Sequence, residues 1–146
     1  MSRVLVIDDD PDVLELIRMI LTDAGHDVRV APDGPHGLAL VRAGHFDAAL
    51  VDLMMPNMDG FDVMAALRGD ERGRMLPLVV VTAKTRLEDQ LRSWREGATE
   101  FITKPFPPEQ LLSALNRAIS STPEERGRRR TAALRQLASA EDEHVS

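Results

Sequence analysis

Four groups of polar residues stand directly after short apolar runs. Asp8-Asp9-Asp10 follow Val4-Leu5-Val6-Ile7, Asp52 follows Ala48-Ala49-Leu50-Val51, Thr82 follows Leu78-Val79-Val80-Val81, and Lys104 follows Phe101-Ile102-Thr103. Taken singly, each has a plain explanation. Asp8 and Asp9 would be a solvated turn, Asp10 a helix cap, Thr82 a strand-end residue bonding to backbone, and Lys104 a surface charge. Taken together they suit one chemistry. Carboxylates packed together repel and are driven to protonate unless a cation joins them. Mg²⁺ resolves this with one or two carboxylates, keeps some waters, and accepts a phosphate oxygen. A carboxylate can also be the nucleophile that takes a phosphoryl group. The transferred oxygens then need positive charge and hydrogen-bond donors, which Lys104 and Thr82 would supply.

For these residues to meet, the apolar runs must lie side by side. Val4 to Ile7 is a β-branched run of the kind buried on both faces of a sheet. Asp10-Pro11 then reads as a cap followed by proline at the first helical position. Val13, Leu14, Ile17, Ile20, Leu21 and Ala24 recur at helical spacing, and Gly25 can close the helix. The alternation repeats. Strands are expected over 28–31, 48–51, 78–81 and 101–103. Helices are expected over 37–43, from about Asp59, around Leu87, Leu91 and Trp94, and from Pro107-Pro108 through Ile119. Five such β–α units imply a doubly wound α/β fold, a five-stranded parallel sheet with helices on both faces. The expected strand order is 2-1-3-4-5, which brings the ends of strands one, three, four and five to one crevice.

Composition narrows the functional classes. The chain has 146 residues, enough for one domain with its own core. It has no cysteine, so disulfides, thiolate metal sites and a cysteine nucleophile are excluded. A net charge of −6 argues against nucleic-acid binding over the whole surface. No signal peptide is expected, because the first apolar run stops at three aspartates. No run approaches the roughly 20 apolar residues of a membrane span. A cytoplasmic protein without membrane contact is therefore expected. Residues 121–146 differ from the rest. They form a polar, charge-segregated tail or linker with the basic run 126–130, helical in part over 132–140 and too polar to build a second core. Without interleaved aromatics this run is not expected to bind nucleic acid.

Over residues 3 to about 120 the sequence resembles receiver domains of two-component signalling, the CheY-like superfamily with its flavodoxin-like three-layer sandwich. The resemblance rests on four stretches in order: Val4 to Asp10, Val51 to Gly60, Val81-Thr82-Ala83-Lys84, and Phe101 to Phe106. It sets residues 1–120 apart as the receiver and implies a phosphorylation-dependent switch. Asp52 would accept the phosphoryl group from a sensor histidine kinase or a histidine phosphotransfer protein. Asp9 would bind Mg²⁺ directly and Asp8 through water, with Asp52 and the Met54 carbonyl as further ligands; Mn²⁺ could substitute. Thr82 and Lys104 would hold phosphoryl oxygens, and the Lys104–Pro105 bond would be cis. Thr82 and Phe101 would form the switch that alters the surface of the fourth helix, fifth strand and fifth helix. A downstream protein or a second copy of the chain would meet that surface. Such a protein catalyses only its own phosphorylation and dephosphorylation.

Two other functions compete. A binding module of the same fold would not respond to phosphate, but the intact acids, Thr82 and Lys104 weigh against it. A phosphatase of the haloacid-dehalogenase type would need Thr or Val two positions after its second acid. Reading from Asp8 and Asp10, that position holds Asp12. Met54 and Lys84, two residues after Asp52 and Thr82, stand where the family tunes the lifetime of the phosphorylated state. Methionine cannot orient water by a strong hydrogen bond, so slow loss is expected. Phe101 by itself reads as a core residue, Trp94 as a partly buried anchor, and His26, His36, His45 and His144 as surface residues.

Overall fold

The computed structural model describes the backbone of residues 2–145 and the side chains of residues 2–140. The elements run β1 (Arg3–Ile7), α1 (Pro11–Asp23), β2 (Asp27–Ala31), α2 (Gly34–Ala43), β3 (Ala48–Val51), α3 (Gly60–Arg68), β4 (Leu78–Thr82), α4 (Leu87–Arg95), β5 (Glu100–Thr103), α5 (Pro108–Ser120) and α6 (Pro123–Val145). All strand pairings are parallel, in the order β2-β1-β3-β4-β5. The expected fold and strand order are therefore present.

The inner strands β1, β3 and β4 are almost wholly apolar because both faces of the sheet are covered there, while the edge strands β2 and β5 carry polar residues. Leu5, Ile7, Ala49, Val51, Leu78 and Val80 enter one core, with Leu38 and Val41 of α2 and Phe61, Met64 and Leu67 of α3. The alternate residues Val4, Val6, Ala48, Leu50, Val79 and Val81 enter the other, with Leu14, Ile17 and Leu21 of α1 and Leu111 and Leu115 of α5. This period of two divides each strand between two helical layers. It leaves the carboxyl ends of the strands free to present polar groups.

Local signals act where the sequence placed them. Asp10 caps α1, accepting from the Asp12 and Val13 amides. Gly25 has φ 94°, a left-handed conformation that glycine adopts without strain. The Lys104–Pro105 peptide is cis. Two helices begin earlier than expected. α2 starts at Gly34, because Asp33 accepts from the His36 amide and caps it there. α6 starts at Pro123 rather than near Ala132. Thr122 and Glu125 exchange backbone–side-chain hydrogen bonds of 3.1 Å in a capping box.

The histidines divide. His36 and His45 are exposed beside Asp33 and Asp47, and the side chain of His144 lies outside the described residues. His26 departs from the surface expectation, being half-buried with its Nδ1 enclosed and unpartnered. Its neighbour Asp27 opens β2, and this draws it against the sheet.

Candidate functional site

β1 and β3 are adjacent, with Ile7 in register with Val51. That pairing alone brings Asp8 beside Asp52, and the Asp52 amide continues the ladder by donating to the Ile7 carbonyl at 3.1 Å. Both carboxylates are buried, Asp8 at 2% and Asp52 at 6% exposure. Asp9 follows on the exposed side. One carboxylate oxygen from each of Asp8, Asp9 and Asp52 lies within 4.8 Å of the others.

Lys104 reaches this cluster from the far edge of the sheet. β5 pairs with β4, and the Lys104 amide donates to the Thr82 carbonyl at 2.9 Å. Its ammonium donates to Asp8 Oδ2 at 2.6 Å and to Asp52 Oδ2 at 2.8 Å. The free oxygens are held by backbone: Asp8 Oδ1 accepts from the Asp10 amide, and Asp52 Oδ1 from the Met54 amide. Burial pushes the Asp8 carboxyl above its ordinary value, against the opposing hydrogen bond from Lys104. Burial works against the Lys104 charge too, but its hydrogen bonds to Asp52 and Asp8 outweigh that and raise its pKa. At Asp8 burial prevails over one ammonium, while at Lys104 two carboxylates prevail over burial.

The remaining site residues are placed less directly. Thr82 is fully buried at the end of β4, and its hydroxyl accepts from the Lys84 amide at 3.1 Å. Among the described residues that hydroxyl makes no hydrogen bond to Asp52 or Lys104. The Lys84 ammonium is turned toward α4, 3.8 Å from Asp89 and 6.0 Å from the centre of the Phe61 ring. Met54 is exposed at the rim. Phe101, half-buried, packs against the core shared with α2 and α3, and Trp94 is also half-buried.

The loop from Asp52 to α3 has requirements that the sequence reading did not assign. Asn57 has φ 68°, which asparagine tolerates better than most residues. A Cβ on Gly60 would lie 2.4 Å from the Asp52 carbonyl oxygen and 2.6 Å from Leu53 Cα. Only glycine lets α3 begin this close to Asp52, where the Gly60 amide donates to the Leu53 carbonyl at 3.1 Å. Asp59 and Asp62 close the turn with a capping box.

Chemically, the cluster offers only oxygen donors and carries more negative charge than one ammonium cancels. That donor set fits a hard divalent cation such as Mg²⁺.

A 2-1-3-4-5 parallel sheet with acids, a threonine and a lysine at its carboxyl ends is a CheY-like flavodoxin fold. The family model of the response regulator receiver domain matches residues 4–116, and the chain belongs to that family, the receiving module of two-component systems. It is 38% identical over 122 residues to the "DNA-binding dual master transcriptional regulator RpaA" of Synechocystis, covering 84% of this chain and 51% of that one. It is 37% identical over 124 residues to the "DNA-binding response regulator MtrA" of Mycolicibacterium smegmatis, covering 85% and 53%. The chain thus spans about half the length of these curated relatives. Among solved structures, the chemotaxis protein CheY4 of Vibrio cholerae matches with a TM-score of 0.78 and 35% identity, over 81% of this chain and 98% of that one. No described helix is long and apolar enough to cross a membrane.

Proposed function

We propose that this chain is a phosphorylation-dependent switch in which Asp52 accepts a phosphoryl group from a histidine kinase or a histidine phosphotransfer protein. The carrying observation is the single Lys104 ammonium bonded to both Asp8 and Asp52. It marks Asp52 as a buried carboxylate with a cation already beside the oxygen that would react. In the transfer, an Asp52 carboxylate oxygen forms a bond to phosphorus as the bond from phosphorus to the donor nitrogen breaks. The electron pair of that bond leaves with the imidazole. Lys104 then stays with the new phosphoryl oxygens, and the Thr82 hydroxyl, whose oxygen accepts from the Lys84 amide, has its proton free to donate to one of them. Asp8, Asp9, Asp52 and the Met54 carbonyl would hold Mg²⁺, which when bound neutralises charge on the phosphoryl oxygens.

The phosphorylated state would alter α4, β5 and α5 through Thr82 and Phe101, and a downstream protein or a second copy would read the change. The chain acts on no substrate but itself, within the cytoplasm. Residues 1–120 form the receiver, and 121–146 a tail or linker. The test is incubation with Mg²⁺ and acetyl phosphate, followed by intact mass. A gain of one phosphoryl group, labile to hydroxylamine and absent in Asp52→Asn, is expected. An unchanged mass would instead favour a phosphate-independent module of the same fold.

A further inference from the structure

At the end of the sheet remote from Asp52, α6 and the body of the domain line an open cavity of about 510 Å³. Five arginines line it: Arg68, Arg74 and Arg95 from the body, Arg126 and Arg130 from α6. Among the described residues the acid on its wall is Glu96, whose Oε1 already accepts from Arg92. The wall therefore carries an excess of positive charge in a chain whose net charge is −6.

Arg68 is the floor. Its guanidinium donates to the carbonyls of Gly73, Arg74, Leu76 and Gly97, between 2.6 and 3.1 Å. No carboxylate pairs with it among the described residues. Burial first, then the charges of Arg130 and Arg126, push its pKa down to about 10. Arg130 Nε is enclosed without a hydrogen-bond partner. Arg74 and Arg95 are exposed and form no ion pair among the described residues. Like charges gathered this closely are unfavourable unless an anion joins them.

We propose that this cavity is a binding site for a small anion carrying two or more phosphate groups, which would bridge α6 to the body. Guanidinium forks match phosphate oxygens in shape and charge. The volume lies in the range of small-ligand sites. The site is concave and has no aromatic side chain on which a base of single-stranded nucleic acid could stack. It is separate from the Asp52 site, since Glu100 begins β5 beside the cavity and Lys104 follows its other end. The inference does not depend on phosphorylation of Asp52.

The test is calorimetric titration of the full chain with inorganic triphosphate and with ATP, in EDTA to keep the acidic cluster free of metal. Saturable one-to-one binding is expected. ATP equal to triphosphate would show that the phosphate chain alone is read; tighter ATP binding would add the nucleoside to the ligand. The double variant Arg74→Glu, Arg95→Glu leaves the Arg68 bonds in place. It should weaken binding about tenfold or more, since each change turns an attraction into a repulsion, with an unchanged circular dichroism spectrum. Arg130→Gln should weaken it from the α6 side. The proposal is overturned if neither probe binds, if the variants bind as tightly as the parent, or if inorganic phosphate binds as tightly as triphosphate. Tighter binding of a duplex DNA of unrelated sequence, lost in the same variants, would overturn it in favour of a nucleic-acid surface.

Discussion

One ammonium serving two buried carboxylates makes Lys104 the most heavily committed side chain of the site. If it holds the phosphoryl oxygens, Lys104→Met should slow phosphorylation by acetyl phosphate about 100-fold, the order found when a charge-stabilising donor is removed. Its raised pKa also has a stability consequence. A raised folded-state value contributes stability that is fully present below the ordinary 10.5 and is lost as pH rises through the folded value. The stability gap between parent and Lys104→Met should therefore hold near neutrality and narrow in strong alkali, as followed by urea titration. Met54 lies at the rim with an exposed side chain that cannot orient water. Met54→Asn should speed loss of the phosphoryl group by about tenfold, since positioned polar groups contribute factors of that order or more. Phosphate release after removal of the donor measures this, and an unchanged rate would exclude Met54 as the brake.

At the level of elements, the least expected is α6. It has few large apolar residues, of which Leu134 and Leu137 are half-buried, and arginines add polar anchors. Arg126 donates to Ser121 Oγ, to the Ser121 carbonyl and to the Met75 carbonyl, at 3.0 to 3.1 Å. Arg129 pairs with Glu100, which also receives Arg117 of α5. α6 also packs against α4, so part of the surface expected to meet partners already carries a helix of the same chain. Arg126→Ala should remove three of these bonds. Amides of residues 123–140 should then exchange faster with deuterium, while those of β3 stay protected, because local opening follows local contacts. Equal exchange in both proteins would mean that Arg126 does not hold the helix.

For the molecule as a whole, stability and site are coupled through the acids. Burial raises the Asp8 pKa, so Asp8 contributes stability below its ordinary 3.8 and loses it as pH rises through the folded value. At neutral pH the buried charge of Asp8 is therefore unfavourable, and a bound cation would relieve it. Mg²⁺ at 100 times its Kd should add about 2.7 kcal/mol, a rise in Tm of roughly 5–10 °C for a chain of this size. The shift should shrink as pH falls and protons compete for Asp8. It should nearly vanish in Asp9→Asn. Calorimetry with and without Mg²⁺ measures both.

Much of this was legible in the chain itself. Apolar runs ended by Asp8, Asp52, Thr82 and Lys104 specified the strands, and their alternation with helical periods specified a doubly wound sheet. The capping box Thr122-Pro123-Glu124-Glu125 is also a local signal, masked by the basic run behind it, which reads as solvated. Such signals are local, because periodicity and caps depend on residues within a few positions of one another. The tertiary structure decided what depends on distance. It gave Lys104 to Asp8 and Asp52 together, turned Lys84 toward Asp89, fitted Gly60 against the Asp52 carbonyl, and gathered arginines from α3, α4 and α6 around one cavity. A charge contributes according to its neighbours and its burial, and neither is fixed until the chain has folded back on itself.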